Sequence, residues 1–286
     1  MLKFQVAAAN SAIPDYRRAL NLTWYRAGRR IPHSGMKTEV FIGTSGYNYP
    51  HWWNGTFYPV GLPQKKWLEF YAESFDTVEL NVSFYRLPKK EVFQTWYKRT
   101  PKKFVFAVKG SRFITHIKRL KDCREPVSLF FDHASPLKEK LGVVLWQLPP
   151  RFEFQKERLE EFCVLLSTLP RSKHHRHAFE FRDESWLCTD AFRILEEFHF
   201  AFCMAHGSGL PFIEKMTSSF IYLRLHGGEV LYGSSYSDNE LKRWAEKVRN
   251  WRKKGRTAFV YFNNDAYGFA VKNALAMKRW MGERED

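Results

Sequence analysis

Phe220-Ile221-Tyr222-Leu223-Arg224-Leu225-His226 alternates strictly, with Ile221, Leu223 and Leu225 on one face of an extended segment and Tyr222, Arg224 and His226 on the other. Three other stretches repeat the pattern. Val78 and Leu80 oppose Thr77, Glu79 and Asn81. Phe179 and Phe181 oppose Glu180 and Arg182, and Val260 and Phe262 oppose Tyr261 and Asn263. Working outward from these four, short β-rich runs are predicted at Val40–Ser45, Thr77–Asn81, Phe104–Lys109, Val143–Leu148, Ala178–Phe181, Phe200–Met204, Phe220–Leu225 and Ala258–Phe262. Amphipathic helical segments lie between them. One groups Trp67, Phe70, Tyr71 and Phe75; another groups Leu159, Phe162, Cys163 and Leu166 and stops at Pro170. A third groups Leu241, Trp244, Val248 and Trp251 behind a capping box, Ser237-x-x-Glu240. Such βα repetition over roughly 250 residues predicts an α/β chain folded as a (β/α)8 TIM barrel. A doubly wound sheet would carry a glycine fingerprint after its first strand, and Gly43-Thr44-Ser45-Gly46 is not one. The segment between the sixth and seventh runs is the shortest, so its helix must be short.

Length and composition agree with a packed protein. The chain has 286 residues, 44% hydrophobic and 27% charged, and no apolar run approaches the ~18–20 residues that cross a bilayer. Lys and Arg number 46 against 30 Asp and Glu, a formal charge of +16, which favours anionic partners. Cys123, Cys163, Cys188 and Cys203 form neither a C-x-x-C pair nor a zinc pattern, so a reduced, cytoplasmic protein is expected. The domain is expected over 37–286. Residues 1–36 carry Lys3 and five arginines against Asp15, and lack a secretory apolar core. They are expected to be a poorly ordered extension, or an upstream artefact of a start at Met36, without function.

In a barrel the site lies at the C-terminal ends of the strands. If the apolar faces meet the helices, the polar faces converge inside. Glu79, Asn81, Lys109, Gln147, Glu180, Arg182, Arg224, His226 and Asn263 then share one mouth. So many buried polar groups must serve a ligand or satisfy one another, and a self-satisfied ion-pair network is the competing reading. The loops add Tyr47, Tyr85 and Trp186 as aromatic ligand contacts and Asn264 as a further polar one. They also add Arg112, His116, Lys118 and Arg119 after the third strand, and Gly233 and Ser234 after the seventh, as phosphate or nucleic-acid contacts. Lys173-His174-His175-Arg176-His177 precedes the fifth strand, at the opposite end, and reads as a solvated loop.

Ile42-Gly43-Thr44-Ser45-Gly46-Tyr47, Phe75-Asp76-Thr77-Val78-Glu79-Leu80-Asn81, Phe84-Tyr85-Arg86-Leu87-Pro88 and Ile114-Thr115-His116-Ile117-Lys118-Arg119-Leu120 resemble the YecE-like domain-of-unknown-function family. So do Gln147-Leu148-Pro149-Pro150, Phe179-Glu180-Phe181-Arg182, Ser185-Trp186, Arg224-Leu225-His226-Gly227 and Tyr261-Phe262-Asn263-Asn264-Asp265. The resemblance runs through nearly all of residues 39–282 and implies a TIM barrel without an assigned activity. The family's barrel is distantly similar to the endonuclease IV and xylose isomerase-like barrels, which implies metals and phosphate-bearing substrates by analogy alone. After the sixth strand the family often places an acid; this chain reads Ala205-His206-Gly207, which weakens any metal site there.

The leading expectation is an enzyme acting on a phosphate-bearing substrate, nucleic acid included, by phosphodiesterase-type hydrolysis. Arg182, Arg224 and Lys109 would hold phosphate, Glu79 or Glu180 would act as acid or base, and His226 would donate a proton or bind a metal. Asn81, Gln147 and Asn263 would orient the substrate. A non-catalytic nucleic-acid binder is the second reading. A metal-dependent sugar isomerase or hydrolase is the third, with a divalent metal not favoured because carboxylates and histidines are few. No membrane partner is expected.

Overall fold

In the computed structural model, residues 38–53 and 55–282 are described. The expectations for residues 1–36 lie outside that range. Strands β1 (Val40–Thr44), β2 (Thr77–Leu80), β3 (Val105–Lys109), β4 (Leu141–Gln147), β5 (Arg176–Glu180), β6 (Ala201–His206), β7 (Phe220–Leu225) and β8 (Thr257–Phe262) are all parallel, paired in the order β1-β8-β7-β6-β5-β4-β3-β2. The two ends of that order meet at the bridge Ser45–Glu79 rather than along a full ladder. Gly43 permits this approach, because a Cβ there would lie against the Thr77 carbonyl oxygen, far inside van der Waals contact. The result is a nearly closed eight-stranded barrel.

Helices α1 (Trp67–Ser74), α2 (Lys90–Arg99), α3 (Arg124–Ala134), α4 (Lys156–Thr168), α5 (Thr189–Glu197), α6 (Asp238–Lys253) and α7 (Phe269–Gly282) surround the strands. Their buried stripes are those the periodicity predicts: Leu159, Phe162, Cys163 and Leu166 on α4, and Leu241, Trp244, Val248 and Trp251 on α6. The capping box of α6 forms in both directions, with Ser237 N–H donating to Glu240 Oε2 at 2.8 Å and Glu240 N–H to Ser237 Oγ at 3.4 Å. The short helix expected between β6 and β7 is absent among the described residues. Residues 207–219 form a loop instead, where Thr217 accepts from Phe202 N–H and donates to the Phe200 carbonyl. With Pro211 and three small polar residues after Met216, that stretch has no apolar stripe to bury. No helix of the described residues is long and apolar enough to cross a membrane.

Two cores result. The outer one joins the strand backs to the helices. The inner one fills the barrel with Ala107, Val143, Leu145, Ala178, Ala201, Cys203, Phe220, Tyr222, Phe259 and Tyr261. The interior is therefore packed and not a pore. Its tyrosines join the apolar layer to polar neighbours: Tyr261 shares a hydrogen bond with Thr77 Oγ1 at 2.7 Å, and Tyr222 donates to Glu79 Oε2 at 2.7 Å.

Candidate active site at the barrel mouth

The polar faces converge as the alternation predicts, and they pair among themselves. Arg224 is almost fully buried on β7 and bridges two fully buried carboxylates. Its Nη2 donates to Glu79 Oε1 at 2.8 Å and its Nη1 to Glu180 Oε2 at 2.6 Å. Glu79 also accepts from Ser45 Oγ at 2.7 Å, and Glu180 accepts from Arg182 Nε. The competing network reading thus describes the inner part of the constellation. Burial alone would raise the Glu180 carboxyl, but the charges of Arg182 and Arg224 outweigh it and hold the group well below the usual carboxylate range. Glu180 is an anion at every physiological pH.

Arg182 is the outward end of the chain of charges. Beyond Glu180 it reaches Tyr232 Oη at 3.3 Å and His226 Nε2 at 3.4 Å. A guanidinium only donates, so His226 Nε2 accepts and the ring's proton belongs on Nδ1, toward the Asn263 amide 3.1 Å away. Asn263 Nδ2 stands at that position, so the Nδ1–H tautomer requires the amide turned to present its oxygen. Burial first, and then the Arg224 charge, push His226 well below its ordinary value, so the ring is neutral. As a neutral acceptor it positions Arg182, and it has no proton of acidic character to give.

Lys109 differs from the arginines. Its ammonium is nearly buried at the end of β3 and makes no ion pair among the described residues. It lies over the Phe84 ring, 4.1 Å from the centroid. Burial, and then the Arg224 charge, lower its pKa to about 8. Two buried polar atoms nearby in the network lack partners among the described residues: Arg224 Nε, a donor, and Asn81 Oδ1, an acceptor. Gln147 stands half-buried beside Glu180 in the β4–β5 register.

Several loop residues stand elsewhere than the sequence suggested. Trp186 is fully buried, stacked on Phe181 with its indole N–H donating to the Phe152 carbonyl, so no ring face is open to a ligand. Tyr47 packs into the outer core and accepts from Trp96 Nε1 at 3.0 Å. Most aromatics after β1 follow it: Tyr58 stacks on Trp67 of α1 at 4.6 Å, and Trp52 is buried with its N–H on Asp265. Asn264 is fully buried and bonds the Ser234 carbonyl and Asn273, tying two loops together. The Gly233 and Ser234 amides both donate to the Val230 carbonyl, while Ser234 Oγ accepts from the Glu229 and Val230 amides. That loop satisfies its own donors and offers no cradle for phosphate.

Other predicted residues do lie at the mouth's rim. Phe84 packs edge-on against both Tyr85, at 5.0 Å, and His116, at 4.9 Å, which joins the loops after β2 and β3. Burial and then the Lys109 charge push His116 down to about 4, so it contributes no cation. Arg112 and Arg119 are exposed and Lys118 is half-buried. Arg119, Leu120 and Asp122 have φ of 46°, 67° and 49°, a tight reversal that buries Leu120 and leaves Arg119 outside. Ser45, Tyr222, Tyr232 and Phe84 were not singled out as site residues. Tyr222 was legible, since it shares the inward face of Arg224; Ser45 follows the end of β1, Tyr232 lies in a loop and Phe84 in a short helical turn, where strand alternation gives no signal.

No three His, Cys, Asp or Glu side chains of the described residues stand where they could hold a metal in common, and the two inward carboxylates are already committed to arginines. The donor set does not fit the metal-dependent reading.

Residues 41–286 match the family model described as "Protein of unknown function DUF72". The chain belongs to the DUF72 family. It is 27% identical over 273 residues to the UPF0759 protein YunF of Bacillus subtilis (strain 168), covering 83% of this chain and 93% of YunF. To the UPF0759 protein YecE of Escherichia coli (strain K12) it is 34% identical over 113 residues, 40% of this chain and 39% of YecE. A crystal structure of a DUF72 family protein from Thermotoga maritima superposes with a TM-score of 0.76 at 30% identity, covering 86% of this chain and 100% of that one. The Thermotoga maritima structure agrees with the barrel described above.

Proposed function

We propose that this DUF72 chain is an enzyme that takes a phosphate-bearing substrate at the C-terminal mouth of its barrel, with Lys109 and Arg182 meeting the phosphate. The observation that carries this reading is the Lys109 ammonium, held nearly buried against a ring with no ion-paired carboxylate among the described residues. Cations at such a site are costly unless an anion completes them. Arg224, in this reading, is a clamp that fixes Glu79 and Glu180, and Glu180 in turn orients Arg182. Glu180, held as an anion, is not the acid. Lys109 is the group whose proton can move near neutrality, because its pKa lies at about 8. In hydrolysis of a phosphate ester, a water oxygen bonds to phosphorus and releases a proton to solvent, the bond to the leaving oxygen breaks, the Lys109 proton passes to that oxygen, and Lys109 takes a proton back from solvent. The second reading, binding without chemistry, is favoured by the commitment of both carboxylates to arginines.

The test is titration of inorganic phosphate followed by calorimetry between pH 6.5 and 9.5, with Lys109→Met alongside. Protonated Lys109 attracts the anion, so its share of the affinity, read against Lys109→Met to cancel the titration of phosphate itself, is full well below pH 8 and falls as pH rises through about 8. The variant should bind weakly and without that inflection. A wild-type affinity flat across the range, or one untouched in Lys109→Met, sinks the proposal. Turnover of a generic aryl phosphodiester, tested on the same proteins, separates the enzyme from the binder.

A further inference from the structure

The aromatic side chains left exposed are distributed in one way only. Trp53, Tyr85, Phe113, Phe212, Tyr232 and Tyr267 are the exposed aromatics among the described residues. Each lies in the segment that follows a strand, after β1, β2, β3, β6, β7 and β8 respectively, Tyr85 and Phe113 in short helical turns there. None is on an outer helix face or at the barrel's other end. An exposed ring costs free energy that a soluble surface ordinarily avoids, and a set of rings confined to one end marks a contact surface there. The same end carries cations of its own: Lys109 and Arg182 in the mouth, Arg112, Lys118 and Arg119 on its rim. The two features touch at one point. The Phe84 ring holds the Lys109 ammonium against its face and packs edge-on against Tyr85, whose own ring is 80% exposed. A group stacked on Tyr85 would therefore lie beside the cation that meets phosphate.

We infer that the substrate is a single-stranded polynucleotide, its phosphates tracking the Lys109–Arg182 cations and the basic rim while its bases stack on the exposed rings, Tyr85 and Phe113 first. This rests on the phosphate reading above and adds the class of molecule. A neutral glycan could stack on the rings but would leave the cations unmatched. A duplex would match the cations, but its bases are stacked on one another and cannot take up the rings. Alternating rings and cations suit a strand whose bases are free.

Fluorescence anisotropy on the full chain tests this, with labelled oligothymidylate of increasing length, the corresponding duplex, and thymidine monophosphate and inorganic phosphate as competitors. Affinity should rise with length and exceed the duplex. Tyr85→Ala and Phe113→Ala, both at exposed positions, should each weaken the oligomer about tenfold without changing the salt slope, because stacking involves no counterions. Arg112→Ala should instead lower that slope by about 0.7, the share of one phosphate on a single strand. If phosphate and the monophosphate bind through Lys109 while length, strandedness and the two ring variants change nothing, this inference falls and the phosphate reading stands. If neither oligomer nor phosphate binds, both fall.

Discussion

Replacing Arg224 with alanine should cost more stability than any other single change at the mouth. The guanidinium is 1% exposed and joins two carboxylates that are 0% exposed, at 2.8 and 2.6 Å. Solvent screening is therefore absent, and the discount that applies to surface pairs does not apply. Removing one partner of a buried pair costs about 3–5 kcal/mol, because an uncompensated charge stays behind. Two carboxylates lose this partner. Glu180 retains Arg182, whereas Glu79 retains, among the described residues, the hydroxyls of Ser45 and Tyr222. The upper end of that range, about 5 kcal/mol, is the expectation, which for a domain of this size lowers Tm by about 10–20 °C. Urea unfolding followed by circular dichroism at pH 7.5 measures it. The cost should shrink on acidification, because a protonated carboxyl needs no cation. Wild-type stability should move the other way in acid. Glu180 is held below its unfolded pKa, so its contribution is complete above that unfolded value and is lost as pH falls toward the folded one. Replacing Arg224 by methionine together with both glutamates by glutamine should recover most of the loss. A loss under about 2 kcal/mol in the single variant, or one indifferent to pH, would refute the account of Arg224 as a charge clamp.

Two further changes test the frame around the site. Gly43→Ala sets a methyl group against the Thr77 carbonyl oxygen at the β1–β2 seam; it should cost about 1–3 kcal/mol or more and speed hydrogen exchange of the β1 amides, and unchanged exchange would mean that the seam yields freely. Trp186→Ala should cost about 3–5 kcal/mol through the cavity it leaves while phosphate affinity per folded molecule stays the same; an affinity loss without a stability loss would return Trp186 to the binding surface.

The inward positions of Glu79, Lys109, Glu180 and Arg224 were legible because a strand reverses its side chains at every residue, and a slip by one would expose Val78, Leu80, Leu223 and Leu225. The loop aromatics were not. Trp52, Tyr58 and Trp186 have the composition of a binding surface, yet they turn under their own loops onto α1 and Phe181. Nothing local distinguishes them from Tyr85, which stays exposed. The Gly/Ser stretch around Ser234 likewise read as a phosphate cradle, until the Val230 carbonyl was found to take its amides. Where a backbone N–H points depends on φ and ψ at several consecutive residues, and short polar side chains such as Ser234 complete the turn by themselves.

By itself, then, the sequence determined the barrel, the family and which strand faces turn inward, since each follows from a period of two or from a chain of collinear motifs. The tertiary structure decided how those inward groups divide their charges. Glu79 and Arg224 lie 145 residues apart in the chain and Glu180 and Arg224 lie 44 apart, and the pairing among them depends on ångström distances set by barrel closure. That division commits Arg224 to the two glutamates, aims Arg182 outward and leaves Lys109 against a ring with a proton it can lose near neutral pH.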